Sequence, residues 1–208
     1  MCIHCFRLGY EEHIQLALSS VLYTFDIGLG HELKVYDAAK QTFFEERGLK
    51  IEEISTGIGA CHQIVVTNDG VYGAGWNRRF QMGIEDASNQ TVYTRIPYFD
   101  DHGLSVQQVA CCRTYSTFLC SGDVYVCGYS ATGGLGAGPK VTQYTSFQKV
   151  LGLSGLRIVQ ISCGFEFTIA RDEDGQLWSW GGNTYGQVEC AYLIEERVSI
   201  RARVMETE

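Results

Sequence analysis

The stretch that decides the fold is Ile161–Gly186, which reads ISCGFEFTIARDEDGQLWSWGGNTYG. A turn at Cys163-Gly164 precedes the short apolar run Phe167–Ala170, and Asp174-Gly175 then supplies the positive φ that a tight hairpin needs. Leu177–Trp180 is rich in aromatic residues, as half-buried strands often are, and a pair of glycines ends it. The stretch therefore predicts short antiparallel strands joined by tight turns.

The same order of turn, apolar run, turn and second strand recurs three times upstream. One position before the apolar runs aligns the copies, and it holds His13, His62, Tyr115 and Phe167. These positions lie 49, 53 and 52 residues apart, and a period near fifty with several strands per unit is typical of propeller blades. Because one unit cannot bury both faces of its sheet, we expect the units to stack around an axis.

The unit resembles the regulator of chromosome condensation repeat, which reads Cys-Gly, His, a short apolar strand, Asp-Gly, an aromatic strand ending in Trp-Gly, then Asn, Gln and Leu-Gly. The residues that we assign to this structural repeat are His13, His62, Asp69, Gly70, Trp76, Cys163, Gly164, Asp174, Gly175, Trp180 and Gly181. Tyr115 and Phe167 stand where the repeat usually has His. The resemblance covers nearly the whole chain as four units, whereas a full propeller of the family has seven blades.

The resulting prediction is an all-β fold, a partial β-propeller of about four blades. We expect a single repeat domain over residues 1–208, with approximate blades at 1–50, 51–105, 106–156 and 157–208. Inner strands are expected at Ile14–Leu18, Gln63–Thr67, Ser116–Cys120 and Phe167–Ala170. The longer connections are each expected to end in an outer strand, at Lys50–Ser55, Ser105–Ala110 and Leu156–Ser162.

Composition narrows the partners and the compartment. A net charge of −8 and a pI of about 5.1 argue against general nucleic-acid binding, which needs clustered Lys and Arg. No apolar run approaches the roughly 18 residues of a membrane helix, and the N-terminus lacks a signal-peptide pattern. The nine cysteines are an odd number, and several replace small buried residues. We therefore expect reduced thiols in the cytoplasm or nucleus.

Patterns that suggest catalysis or metal binding have simpler interpretations. Cys2-Ile3-His4-Cys5 has zinc-like spacing, but the nearest other pair, Cys111-Cys112, is adjacent, so its side chains diverge along a strand. Gly133–Gly138 lacks the Lys-Ser/Thr of a phosphate loop, and a blade exit turn explains it better. His13 and His62 share one repeat register, which favours a structural role. We predict no metal, no cofactor and no catalytic residue.

The candidate protein-binding residues follow strand ends. Arg78-Arg79-Phe80 comes after Trp76, and Arg and aromatic residues are enriched at interface hot spots. The alternative is a solvated turn in which an Arg stem packs on Trp76. Tyr129 and Tyr185 are expected in corresponding exit loops and join the candidate set.

Two functions are compatible with these features. The first is a non-enzymatic protein–protein interaction module, a subunit or regulator in a larger assembly. The second follows only from the resemblance and is guanine-nucleotide exchange on a small GTPase. The acidic loops Glu85-Asp86 and Asp100-Asp101 are candidates for that role, although the family's exchange residues do not map onto them.

The expected number of blades bears on assembly. Four blades of a seven-blade geometry leave open terminal sheets, which proteins normally cover. The run Arg197–Val204 alternates polar and apolar residues, as an outer strand does. We expect the terminal blades to bind another chain or a second copy. A closed four-blade ring would instead pair Met1–Phe6 with Ser199–Val204.

Overall fold

The structure is a computed structural model that describes residues 39–57, 59–138 and 140–188, and the strand backbones at 16–18, 21–24 and 203–204. His13, Cys2-Ile3-His4-Cys5 and most of Arg197–Val204 lie outside the described residues. The closed-ring pairing of Met1–Phe6 also lies outside them.

In the parts of the chain that the structure describes, fifteen strands form four sheets that follow one another along the sequence. Blade 1 contains β1 (Leu16–Leu18), β2 (Val21–Thr24) and β3 (Ala39–Gln41). Blade 2 contains β4 (Ile51–Thr56), β5 (His62–Thr67), β6 (Gly70–Gly75) and β7 (Gln90–Ile96). Blade 3 contains β8 (Val106–Cys111), β9 (Tyr115–Cys120), β10 (Asp123–Tyr129) and β11 (Gln143–Lys149). Blade 4 contains β12 (Ile158–Cys163), β13 (Phe167–Asp172), β14 (Leu177–Gly181) and β15 (Arg203–Val204).

Three short helical segments lie in the connections of the described chain: α1 (Phe43–Glu46), α2 (Tyr98–Asp101) and a 3₁₀ turn at Leu151–Leu153. Within the described residues, no helix has the length and apolar character needed to span a membrane. The predicted all-β, partial propeller fold is confirmed.

The strand order corrects one expectation. In blades 2 to 4, the strands expected at the outside (β4, β8 and β12) form the edge at which neighbouring sheets contact each other. They are therefore the innermost strands, and the runs expected to be innermost take the second place. The opposite edges of blades 2 and 3 belong to β7 and β11, which pair antiparallel with their neighbours. In blade 4, β15 occupies that edge but pairs with β14 in parallel.

Register repeats between the blades as closely as strand order does. Each innermost strand has one irregularity in its pairing, at Glu52 in β4, Gln107 in β8 and Val159 in β12. Bulges bend a strand and increase its local twist, so the same bend recurs at the same place in three sheets. The period near fifty residues thus extends to backbone irregularities.

The core lies between the sheets. On β5, Ile64 packs in the cluster between blades 2 and 3, whereas Val65 faces the opposite way, toward Phe44 of α1. On β9, Phe118 belongs to the cluster shared with blade 2, and Leu119 to the cluster shared with blade 4. Because successive side chains of a strand alternate between faces, each middle sheet is buried on both sides.

The connections fall at two ends of the stack. The ends of β8 and β12 meet, because the backbone N–H of Arg113 donates to the carbonyl of Phe165 over 3.1 Å. A Cβ at Gly59, just after β4, would lie 2.6 Å from the Phe165 ring. We call this the exit-loop end; it also carries the loops after β6, β10 and β14. The opposite end, the hairpin end, carries the loops after β5, β7, β9, β11 and β13.

Candidate interaction site at the exit-loop end

Three exit loops share one hydrogen-bonding frame. After β6, the backbone N–H of Met82 donates to the Asn77 side chain over 3.1 Å. After β14, Val188 and Asn183 repeat this bond over 3.2 Å. After β10, Ser130 takes the place of Asn, and its Oγ accepts from two backbone N–H groups of the loop. The polar residue that opens each loop therefore sets the loop's shape.

The frame shows which positions correspond. The backbone N–H of Arg79 donates to the side chain of Gln81 over 2.9 Å, and the backbone N–H of Tyr185 makes the same bond to the side chain of Gln187 over 2.8 Å. Tyr185 thus corresponds to Arg79. Tyr129 instead corresponds to Trp76. Trp76 donates its backbone N–H to the carbonyl of Cys61, and Tyr129 donates to that of Thr114, in each case the residue just before the second strand of the blade. Tyr129, the last residue of β10, and Tyr185 therefore belong to corresponding exit connections but stand at different positions in them.

The arginines of the predicted site lie at the surface. Arg78 and Arg79 are both exposed, and Phe80 is half-buried. The guanidinium carbon of Arg79 lies 4.5 Å from the centroid of the Tyr129 ring, a cation–π contact that joins blade 2 to blade 3. The structure brings Arg79 and Tyr129 together in this way, whereas the alternative had an Arg stem on Trp76. Tyr185 is 92% exposed in the loop after β14.

A second arginine–aromatic pair lies at the same end and was missed. Arg113, after β8, has its guanidinium carbon 4.9 Å from the centroid of Phe165, and its Nη1 lies 3.5 Å from Glu166 Oε1. The Phe165 ring is 44% exposed although it is a large apolar group. No spacing in the sequence marks this pair, because its members are 52 residues apart and meet only when the inner strands converge.

His62, one of the repeat residues, lies in the seam between blades 2 and 3. It is fully buried, and its Nε2 lies 2.7 Å from Ser116 Oγ. Ser116 Oγ donates to the carbonyl of Gln81 over 2.7 Å, so the hydroxyl accepts the proton of His62 Nε2. Burial lowers the pKa of His62 to about 3. This histidine is therefore neutral and structural at physiological pH.

The two tryptophans assigned to the repeat are not equivalent. Trp180 pairs with Thr168 within blade 4 and is 3% exposed, and its Nε1 donates to the carbonyl of Gly134 over 2.9 Å. Trp76 lies just beyond β6 and is half-buried. Both match the Trp of the repeat in the sequence, but only Trp180 fills the space between two sheets.

Repeat glycines lie where backbone or rings come close. Gly181 has φ +108°, and a Cβ there would lie 2.5 Å from the carbonyl oxygen of Glu166. Gly164 packs directly against the Phe167 ring. Cys163 is half-buried, with its sulfur 3.4 Å from Thr117 Oγ1. These positions of the repeat maintain tight packing where the inner strands end.

The Asp-Gly pairs lie at the hairpin end. Asp69 accepts a hydrogen bond from the Tyr72 hydroxyl over 3.0 Å, and the following Gly70 has φ +146°. Gly175 has φ +80° in an exposed turn, and Asp174 beside it is exposed. The carboxylate that holds the second turn is one that sequence reasoning missed.

That carboxylate is Asp172, which is buried at the end of β13. It accepts from the backbone of Gln176 over 2.8 Å and from Trp178 Nε1 over 2.9 Å.

The acidic loops are separated by the length of a strand. Glu85-Asp86 precedes β7, and Asp100-Asp101 follows it. The first pair is therefore at the exit-loop end and the second at the hairpin end. Two hydrogen bonds from Ser88 lower the pKa of Asp86. Within the described residues, no group of three or more His, Cys, Asp or Glu could hold a metal ion.

Strand order and register define the class of protein, a partial β-propeller that carries arginines and aromatic rings on its exit loops. Residues 121–171 and residues 158–187 each match the description "Regulator of chromosome condensation (RCC1) repeat". The chain belongs to the family of proteins built from this repeat.

Named relatives agree with the family assignment. The chain is 32% identical over 179 residues to the ultraviolet-B receptor UVR8 of Arabidopsis thaliana, an alignment that covers 85% of the chain and 39% of the receptor. It is 31% identical over 150 residues to the human RCC1-like G exchanging factor-like protein, covering 69% of the chain and 32% of that protein.

Solved structures show the same fold. Human WBSCR16 superposes with a TM-score of 0.72 at 25% identity, over 85% of the chain and 48% of that structure. Yeast RCC1 (Prp20), in a complex with Kap60, superposes with a TM-score of 0.66 at 20% identity, over 82% of the chain and 42% of that structure. The chain thus spans less than half the length of each of these four proteins.

Proposed function

We propose that this chain is a non-enzymatic protein–protein interaction module that binds its partner through the exit-loop end. The observation that carries the proposal is the gathering of arginines and aromatic rings at the exit-loop end of three blades: Arg78, Arg79, Arg113, Phe165 and Tyr185 are exposed, and Phe80 and Tyr129 are half-buried. Such residues dominate the energy of protein interfaces, and loops on a rigid scaffold are well placed to carry them.

The exposure of the aromatic rings supports this proposal over a merely solvated turn. Tyr185 is 92% exposed and Phe165 is 44% exposed, so much of their apolar surface remains in contact with water in the isolated chain. A protein partner that covered these rings would gain the free energy of burying them. The cation–π contact of Arg79 with Tyr129 holds one guanidinium in place before binding, which lowers the entropy lost on association.

Guanine-nucleotide exchange on a small GTPase is the alternative, because one relative is named as an exchange-factor-like protein. Fold alone does not assign that activity. The acidic pairs Glu85-Asp86 and Asp100-Asp101 stand at opposite ends of β7, so they cannot act together on one nucleotide site. A nucleotide-release assay against a panel of small GTPases tests the alternative, and release from any of them would favour it.

A further part of the proposal concerns assembly and location. The relatives are more than twice as long as the part that the chain matches, which supports additional protein against the terminal blades. That protein is another chain or a second copy in the cytoplasm or nucleus. Light scattering together with a crosslinking survey of the purified chain measures this association.

Site-directed photocrosslinking tests the binding face. A photoreactive phenylalanine analogue replaces Tyr185 at the exit-loop end, and in a second variant it replaces Leu151. Leu151 is 74% exposed and lies at the hairpin end, so it is a matched control. We expect one discrete protein adduct from position 185 and none from position 151. Adducts from position 151 alone, or from neither position, would contradict the proposal.

A further inference from the structure

The backbone at Phe80 is unusual among the exit loops. The corresponding positions of the three loops have φ of +59° at Phe80, +79° at Gly133 and +74° at Gly186. In two of the loops this residue makes the same turn bond: the backbone N–H of Phe80 donates to the carbonyl of Asn77 over 2.9 Å, and that of Gly186 to the carbonyl of Asn183 over 3.1 Å. The loop frame therefore imposes a left-handed conformation, and only blade 2 meets it with a bulky side chain.

Little within the described chain compensates Phe80 for this conformation. Left-handed φ is unfavourable for residues that have a Cβ, and it is a true outlier for a bulky one. Phe80 is half-buried, belongs to none of the core clusters, and makes no ring contact with any described residue. At the corresponding position of blade 3, a Cβ on Gly133 would have nothing within 4 Å, so that loop leaves open space there. Strain of this kind collects at functional sites.

The neighbours of Phe80 carry unpaired positive charge. Among the described residues, neither Arg78 nor Arg79 forms an ion pair with a carboxylate. One of the two carboxylates of the same loop, Asp86, accepts hydrogen bonds from Ser88 instead. Two adjacent guanidinium groups beside an aromatic ring thus stand out from a chain whose net charge is −8.

We infer that the tip Arg78-Arg79-Phe80 binds an acidic peptide segment that presents an apolar side chain to Phe80. This inference rests on the proposed function and names the chemistry of the partner. Arginine recognises carboxylates through paired hydrogen bonds, and the ring of Phe80 supplies the apolar contact. Carboxylates at the same end, on Glu85, Asp86 and Glu166, would repel the continuous charge of a nucleic acid, whereas a short peptide can avoid them.

Selection from a phage-displayed library of random 12-residue peptides tests the inference with the 208-residue chain. The selected peptides are then synthesised, and their binding is measured by fluorescence anisotropy at several salt concentrations. The variants are Phe80→Gly, which places the residue of the other two exit loops in this one, and Arg78→Glu/Arg79→Glu. The matched control is Gly133→Phe, which adds a strained aromatic residue to a loop without the two arginines.

We expect the library to yield peptides rich in Asp and Glu with at least one large apolar residue. Phe80→Gly should weaken their binding by at least about 10-fold, and the double charge reversal by about 30-fold or more, with a flatter salt dependence. Relief of strain opposes the extra freedom of the unfolded chain, so Phe80→Gly should leave the melting temperature unchanged or raise it by up to about 4 °C. Gly133→Phe should lower it and leave binding unchanged.

The unfavourable outcomes are distinguishable. A fall in melting temperature for Phe80→Gly would assign Phe80 a structural role and overturn the inference. Selected peptides that are neutral or basic, or that bind the Phe80→Gly variant equally well, would overturn it too. If such peptides lose binding to the Phe165→Ala or Tyr185→Ala variant, the proposed interaction function stands, but the inferred acidic partner does not. If no selected peptide depends on any residue of the exit-loop end, both the proposed function and the inferred acidic partner fail. Displacement of the peptides by a 12-nucleotide single strand at low concentration would favour a nucleic-acid partner.

Discussion

The seam between blades 2 and 3 and the seam between blades 3 and 4 use the same four backbone positions with different side chains. The first seam has His62, Ser116, Gln81 and Cys127, and the second has Tyr115, Thr168, Gly134 and Trp180. In both, the first residue contacts a hydroxyl of the next blade, over 2.7 Å in the first seam and 3.1 Å in the second. In both, the last residue donates to the carbonyl of the preceding exit loop.

The sizes of the side chains compensate for one another. The second seam has the larger Tyr115 and Trp180, and its exit loop has Gly134 where the first seam has Gln81. A Cβ at Gly134 would lie 2.6 Å from the Tyr115 ring, so no larger residue fits beside it. The repeat therefore preserves hydrogen-bond geometry and total volume, while the identity of each side chain changes.

The two seams should differ most in the free energy of unfolding that is lost when the side chain at the fourth position is truncated. Trp180→Ala removes a buried indole and its bond to Gly134, and it should lower the free energy of unfolding by roughly 3–5 kcal/mol. Cys127→Ala is the matched change in the first seam, where the side chain is already small, and it should cost only about 1 kcal/mol. Chemical denaturation measures both.

Equal losses for these two variants would contradict the comparison, because they would mean that the seams do not differ in how much volume this position fills. A loss below about 1 kcal/mol for Trp180→Ala would show that the indole adds little to the packing of blade 4.

How far the sequence predicts this fold can be judged strand by strand. The second strands of blades 2 to 4 were predicted, because their apolar runs and one aligned position, held by His62, Tyr115 and Phe167, repeat with a constant period. The outer strands β7 and β11 were not predicted, because they lie at the edge of their sheets and expose polar residues such as Thr145 to solvent. A strand with one solvated face and an exposed edge has the composition of a loop.

The second prediction uses the pH dependence of folding stability to distinguish the two seams. Burial lowers the pKa of His62 from 6.5 to about 3, so the unfolded chain binds a proton below pH 6.5 that the folded chain does not. The stability that depends on neutral His62 is complete above pH 6.5 and decreases as pH falls toward 3. Between pH 7 and pH 5 this contribution should decrease by about 2 kcal/mol. Tyr115 takes up no proton in this range.

Other groups titrate in the same range, so the test is a difference between proteins. His62→Gln places an amide nitrogen close to the position of Nε2, so it keeps a donor for Ser116 but does not bind a proton. The variant should be less stable than the parent at pH 7, and it should lose about 2 kcal/mol less between pH 7 and pH 5. If the free energy of unfolding fell equally in the two proteins between pH 7 and pH 5, His62 would not be the group responsible for the loss of stability.

The candidate site was predictable only in part. Arg78-Arg79-Phe80 was identified because two adjacent arginines beside an aromatic residue form a local pattern. Arg113 and Phe165 were missed, because they are distant in the sequence and meet only where the inner strands converge. The left-handed backbone of Phe80 was also missed, since phenylalanine does not signal positive φ and the loop frame that imposes it depends on bonds to Asn77.

The smallest effect is expected for the hydroxyl pair of the second seam. Tyr115→Phe preserves the shape of the ring and removes the hydroxyl that contacts Thr168, so it should cost about 1 kcal/mol. Thr168→Val is the partner change, and a double-mutant cycle isolates the pair from the other contacts of Thr168 with Cys112 and Cys163. In the first seam, Ser116→Ala removes the bonds to both His62 and Gln81 and should cost more than Tyr115→Phe. A coupling energy near zero for the tyrosine pair would mean that the Tyr115 hydroxyl contributes nothing to the second seam beyond its packing and the bond from Trp180 to Gly134, whereas the first seam keeps the bond between His62 and Ser116.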